Sequence, residues 1–320
     1  MSLRYLGKKV LWAFLTLFFV LSVNFFLFRV MPGDPVALLA RSQRLTPEAI
    51  EQQRALFGLD QPLFQQYLTY LGQTARFEFG SDLISGQPVW GQITARIWPT
   101  VLLVGVGTTL AVVLGVLGGI KAGWKRGSRF DRNSTYGSLV LYATPEGWLG
   151  MLLLIVFAGS LGWFPSGGYA SPNAEGFERV TDIANHLVLP ALTLALAYIG
   201  QFLLVMRSSL LDVKDEEYVD VARAKGLADL QVRRKHAVPN AILPTYTLTV
   251  LSFGFVLGGA IVVEAIFSWP GLGLLTYEAI EQQNYPVLQA VFLIASFSVI
   301  VANLIADITY TYLDPRIEEV

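Results

Sequence analysis

The sequence predicts an all-α membrane protein with six transmembrane helices and cytoplasmic N- and C-termini. Three observations predict it. Of the 320 residues, 53% are hydrophobic and only 15% charged, against about 25% charged in soluble domains. Six apolar stretches each approach the roughly 20 residues a helix needs to cross the hydrocarbon. Lys and Arg gather on one side of those stretches, which marks the cytoplasmic side.

The stretches run near Val10–Phe28, Ile97–Ile120, Tyr136–Leu161, His186–Met206, Ala241–Val263 and Val287–Ala306. Backbone polar groups cannot stay unpaired in lipid, so each stretch is expected to be a helix. The first is too long for a signal peptide, and "FRVMPGDP" follows it in place of a small-residue cleavage site. It is expected to remain as an anchor. Of the 23 basic residues, 16 fall on one side: Arg4, Lys8 and Lys9, the second–third loop, the fourth–fifth loop and Arg316. That side is inner, and the opposite side outer.

The outer insertion, about 31–96, is long enough to hold structure. Thr46-Pro47-Glu48 reads as a helix start, with a cap, a proline in the first turn and an acid beside it. Gly58 would end that helix. Pro62 would begin a second, with Leu63, Phe64, Tyr67, Leu68 and Leu71 on one face, packed on the span tops or, as the alternative, docking an external partner. No internal repeat or flexible linker divides the chain, so 1–320 reads as one domain.

Several chemistries are missing. No G-x-x-x-x-G-K-[ST], H-E-x-x-H or G-x-S-x-G occurs, so no phosphate loop, zinc-protease helix or nucleophile elbow is present. Zero cysteines exclude disulfides and thiolate sites. His186 and His236 fall at opposite ends of the predicted topology, which disfavours shared metal ligation. Net charge is −1, so no general field attracts nucleic acid. Gly115–Gly119, Gly119–Gly123 and Gly254–Gly258 have G-x-x-x-G spacing, suited to close helix contact within this bundle or with another subunit. Asn24, Gln201 and Asn303 are polar residues inside spans, suited to interhelical hydrogen bonds. Glu264 and Asp307 fall near span ends and are expected at the interfaces.

The inner stretch at about 212–240 is different. Excluding Arg207, six acids balance six bases there, which suits a solvated surface or a specific protein contact. Tyr218, Val221 and Ala222 fall at i, i+3, i+4. Gly226 can take the positive φ that closes this helix, and Leu227 and Leu230 begin another. Ala222 and Ala224 leave little bulk beside the turn, as in a helix that enters a partner's groove. An amphipathic connector lying on the membrane is the other reading. Pro239 suits a first helical turn, and Pro244 would kink the return.

"EYVDVARAKGL…RRKHAVPNAILP" resembles the cytoplasmic signature loop of ABC-importer permeases of the dipeptide/oligopeptide branch. "FRVMPGDPV", "FGLDQPLFQQYLTYL", "SGQPVWGQITARIWPTVLL", "LGWFPSGGY" and "VEAIFSWPGLGLLTYEAIEQQNYPVLQAVFLI" extend the resemblance over nearly the whole chain. The resemblance implies a type I importer-like permease of the bacterial or archaeal cytoplasmic (inner) membrane. Glu217, Tyr218, Ala222, Arg223, Ala224, Lys225, Gly226 and Leu227 would form the coupling loop that seats in a separate ATPase subunit. Two such ATP-binding subunits would carry the ATP and Mg2+, and this chain would hold no cofactor. A second homologous permease would complete the pore, and an extracytoplasmic solute-binding protein would deliver cargo. Di- and oligopeptides are implied, with oligosaccharides, glutathione and nickel complexes as cargoes of similar permeases. Pro239 and Asn284 depart from the branch, the latter standing where an acid is common.

Glu146 also departs from it, following Pro145 at membrane depth. An acid there is costly and usually faces a cavity or partner. With Gln201 and Asn303 it is a candidate for the translocation path, where it would attract a cationic part of the cargo. A structural pairing, or a helix break that reaches water, is the alternative. A self-sufficient secondary transporter or channel is the competing function, but repeated halves and intramembrane ion sites are not evident.

Overall fold

The computed structural model describes residues 3–30 and 61–313. The outer helix expected at Thr46–Gly58 lies outside them. Among the described residues, α1 (Leu3–Val30) is followed by α2 (Leu63–Ala75) and α3 (Val89–Trp124). Then come α4 (Arg129–Ala143), α5 (Glu146–Ser160), α6 (Gly176–Lys214) and α7 (Glu217–Ala224). The chain ends with α8 (Asp229–Ala241), α9 (Leu243–Gly258), α10 (Ile261–Ile266), α11 (Leu272–Glu281) and α12 (Tyr285–Leu313).

Four of these helices, α1, α3, α6 and α12, are long and apolar enough to cross a membrane unbroken. Two bent helix pairs bring the count to the expected six where each pair is taken as one span. The third span turns by 100° between α4 and α5. Thr144 precedes Pro145, whose ring disfavours helical backbone at the preceding residue; Thr144 accordingly has φ −87° and ψ 125°. The fifth turns by 51° between α8 and α9, beside Pro244. It also stops early. Gly259 takes φ +72°, and Ile261–Ile266 is a separate helix, not the end of a span reaching Val263.

The core is a seam between α3 and α6. Gly107, Ala111, Gly115, Gly119 and Gly123 recur at every fourth residue of α3 and are buried. A Cβ at Gly115 would fall 2.6 Å from Phe202 Cβ, and one at Gly119 2.7 Å from the Leu203 carbonyl oxygen. The G-x-x-x-G spacing of α3 thus serves packing within the chain, one ridge set into one groove. Gly254 makes the same kind of close contact with Ala302.

At the outer end, α2 begins after Pro62 as expected and docks on α1. Ser22 and Tyr67 hydroxyls meet at 2.6 Å, and Asn24 donates to Tyr70 and to the Gln289 carbonyl. Leu63, Phe64 and Leu68, expected on the packed face, are exposed instead. Between the fifth and sixth spans, Glu264 is fully buried rather than interfacial. Its carboxylate accepts from Thr100 Oγ1 at 3.0 Å and from the Leu274 N–H at 2.9 Å. Thr100 Oγ1 in turn accepts from the Leu272 N–H at 2.7 Å. Asp307 pairs with Lys9 at 2.9 Å near the inner ends of α12 and α1.

Candidate functional site

The inner segment from Glu217 to Ala241 folds as an elbow. Glu217 and Asp220 stand in the first turn of α7 and Arg223 in its last, the charge order that a helix dipole favours. Gly226 ends the turn with φ +77°, as its lack of a side chain allows. The chain then enters α8, which widens to π-helical geometry at Val232–Ala237.

Two faces separate on this elbow. Val219 and Ala222 are buried with Trp124, Met206, Leu210, Val232, Ala237 and Ala241. Val221, Leu227 and Leu230 remain 51%, 38% and 47% exposed. The expected stripe of Tyr218, Val221 and Ala222 is therefore split. Ala222 faces the membrane domain, three residues after Val219, and cannot be part of an outward surface. Glu217, Tyr218, Arg223, Ala224, Lys225, Gly226 and Leu227 are exposed.

The elbow is fixed to two spans, α3 and α6. Trp124, which closes α3, donates its indole N–H to Asp229 at 2.8 Å. Its carbonyl accepts from Lys214 at 3.0 Å, and the Arg223 guanidinium lies 5.8 Å from its ring. Ser209 of α6 donates to the Ala241 carbonyl at 2.8 Å. Beside them Arg207 of α6 pairs with Asp131 of α4, which is 3% exposed and also accepts from the Gly127 N–H. Through Val219 and Ala222, α7 thus packs directly against residues of α3 and α6.

At membrane depth, Glu146 begins α5 directly after the break. Tyr198 of α6 donates to its carboxylate at 3.3 Å. Gln201 follows one turn further along α6. Asn303 does not join them; it is exposed on α12, one turn before Asp307. Among the described residues, no group of three or more His, Cys, Asp or Glu could hold a metal.

Sequence reasoning did not find Asp131–Arg207, Trp124–Asp229 or the Thr100–Glu264 contact. Asp131 and Trp124 read as ordinary loop-edge residues, and only their partners, 76 and 105 residues away, give them a role. For Glu264, the run Pro270-Gly271-Leu272-Gly273 just after it was the available signal. A Cβ at Gly271 would collide with both the Glu264 carboxylate and Thr100.

Comparison with known proteins agrees with this architecture. Residues 111–319 match the family described as binding-protein-dependent transport system inner membrane component. Residues 2–104 match the N-terminal region of such membrane components. The chain is 37% identical to the oligopeptide transport system permease protein AppB of Bacillus subtilis, over 98% of this chain and 99% of that one. It is 38% identical to the glutathione transport system permease protein GsiC of Escherichia coli K12, with the same coverage. A putative peptide permease of Brucella suis is 37% identical over 99% of both chains. The chain belongs to the inner membrane component family of binding-protein-dependent transport systems.

Proposed function

We propose that this chain is the pore-forming permease subunit of an ATP-driven importer for di- and oligopeptides. One observation carries the energy-coupling part: the inner elbow buries one face on two spans, α3 and α6, and leaves Val221, Leu227 and Leu230 open. Exposed apolar side chains rimmed by charge mark a protein contact. The partner is a separate ATPase that binds ATP and Mg2+, and two such subunits serve two permeases, this chain and a homologue. ATP drives the switch only because its bound states hold the elbow differently. The bundle then moves between two packings. An external solute-binding protein delivers cargo, which passes the open face of α6 near Glu146 and Gln201. Peptide cargo is supported by the names of the relatives.

Co-purification tests this reading. Val221→Asp with Leu227→Asp, both outward, should release the ATPase while the second permease stays bound. Retention of the ATPase with undiminished cargo-stimulated hydrolysis would sink it. So would uphill uptake by the chain alone in liposomes on an ion gradient, which is what a secondary transporter does. Deleting Ala222 is a poorer test, because it empties the buried face.

A further inference from the structure

We infer that the break in the third span, with Glu146, Tyr198 and Gln201, is a water-lined station that recognises cationic groups of the cargo, ammonium or guanidinium. The inference rests on the transport reading above and adds a charge preference to it.

The first support is backbone. The break at Thr144–Pro145 lies about 12 Å past Tyr136, where the third apolar stretch begins, at 1.5 Å per residue, inside a hydrocarbon core of about 30 Å. The first N–H groups of α5 have no intrahelical acceptor, and no side chain caps them. Interrupted backbone at that depth is tolerated only inside protein or against water. Tyr142, Ala143 and Pro145 are exposed, so no described residue of this chain covers it.

The second support is side-chain pattern. Tyr198, Gln201 and Val205 inside the fourth span, with Ser208 and Asp212 beyond its inner end at Met206, are spaced 3-4-3-4 along α6, and none is buried. That spacing is one helix face. Its chemistry differs from the open face of α1, where Leu11, Phe14, Phe18 and Phe26 are the exposed residues. A polar face at this depth suits water, an apolar one lipid. The third support is charge. Glu146 is half-buried and meets Tyr198, whose hydroxyl orients the carboxylate without neutralising it. A negative group at the head of a polar face attracts cations and repels anions.

The absence of cysteine from this chain makes the test direct. Gln201→Cys is placed in the assembled, reconstituted complex with cysteine-free partner chains. It is labelled with cationic and anionic thiosulfonates of equal size. The cation should react about tenfold faster, the scale of one unit charge acting across a wet cleft. Glu146→Gln should erase that preference, and Glu146→Asp should keep it. An unreactive Gln201→Cys overturns the water-lined station. A preference unchanged by Glu146→Gln overturns the charge role. Both readouts need no transport, so they stand apart from the ATP-dependence on which the transport reading depends. In uptake, Glu146→Gln should depress cargo with a free ammonium about tenfold relative to its acetylated analogue. Equal loss of both would also overturn the inference.

Discussion

The indole N–H of Trp124 reaches the Asp229 carboxylate at 2.8 Å, joining the inner end of α3 to the start of α8 across 105 residues of sequence. Trp124→Phe keeps an aromatic ring in the buried cluster but removes this bond. Asp229 is exposed, so the loss should be about 1 kcal/mol. The larger effect should be on coupling. Cargo-stimulated ATP hydrolysis in reconstituted complexes should fall severalfold while the subunits stay assembled. Full stimulation in Trp124→Phe would mean that the elbow reaches α3 by another route.

Asp131 and Arg207 should be far less forgiving. Asp131 is nearly inaccessible, and removal of either partner strands the other charge. Arg207 keeps 24% of its side chain exposed, so the loss should be about 1.5–3 kcal/mol, that of hydrogen bonds to a charged group. Asp131→Asn should lower the thermal midpoint of the detergent-solubilised complex by several degrees. The paired change Asp131→Leu with Arg207→Met should recover much of it. A double variant as weak as Asp131→Asn would show that the pair does more than satisfy its own charges.

Glu264 and Gly271 should fail together. Glu264→Ala leaves Thr100 and the Leu274 N–H without their buried acceptor, a loss of about 1–3 kcal/mol per group. Gly271→Ala drives a methyl group into the same carboxylate. Each should loosen α10 and α11, read as faster hydrogen exchange across residues 259–281. The two changes should be non-additive when combined, because they disrupt one contact. Additive effects would place Gly271 outside the Glu264 cluster.

The outer loop after α2 should respond to acid. Burial pushes the Asp82 carboxyl up, but hydrogen bonds from Gln92, Ser85, Ile84 and Asn284 outweigh it and hold the carboxyl below its ordinary value of 3.8. A depressed folded value means that ionised Asp82 stabilises the loop above the unfolded value. That stabilisation is lost as pH falls through the folded value. Protease cleavage in residues 81–92 should therefore rise below about pH 4. In Asp82→Asn the rise should vanish. Asn284→Asp would set a second carboxylate against Asp82 and should bring the loosening on at higher pH.

Much of this was legible in the chain itself. The six apolar stretches were visible because hydropathy reports transfer into lipid directly. The turn at Gly226 and the proline at the start of α2 were visible because φ preferences are local. What stayed hidden depends on distance in the fold. The 100° turn at Thr144–Pro145 could be suspected but not measured, since many membrane helices carry a proline without turning. Val219, not Val221, became the inward residue of α7. On a two-turn helix a shift of two positions turns the buried side by about 200°, and packing against Trp124 and Met206 decides it. Glu264 looked like an interface acid because its span was expected to continue, whereas Gly259 had already stopped it.

The glycine seam between α3 and α6 has a mechanical consequence. Backbones pressed this closely have no room to slide, so the two helices should travel as a single beam. Spin labels placed on their outward sides should keep one fixed separation through the whole nucleotide cycle. Any change of shape then has to be found at the joints, around Thr144 and Gly259, where the rods of this machine are cut.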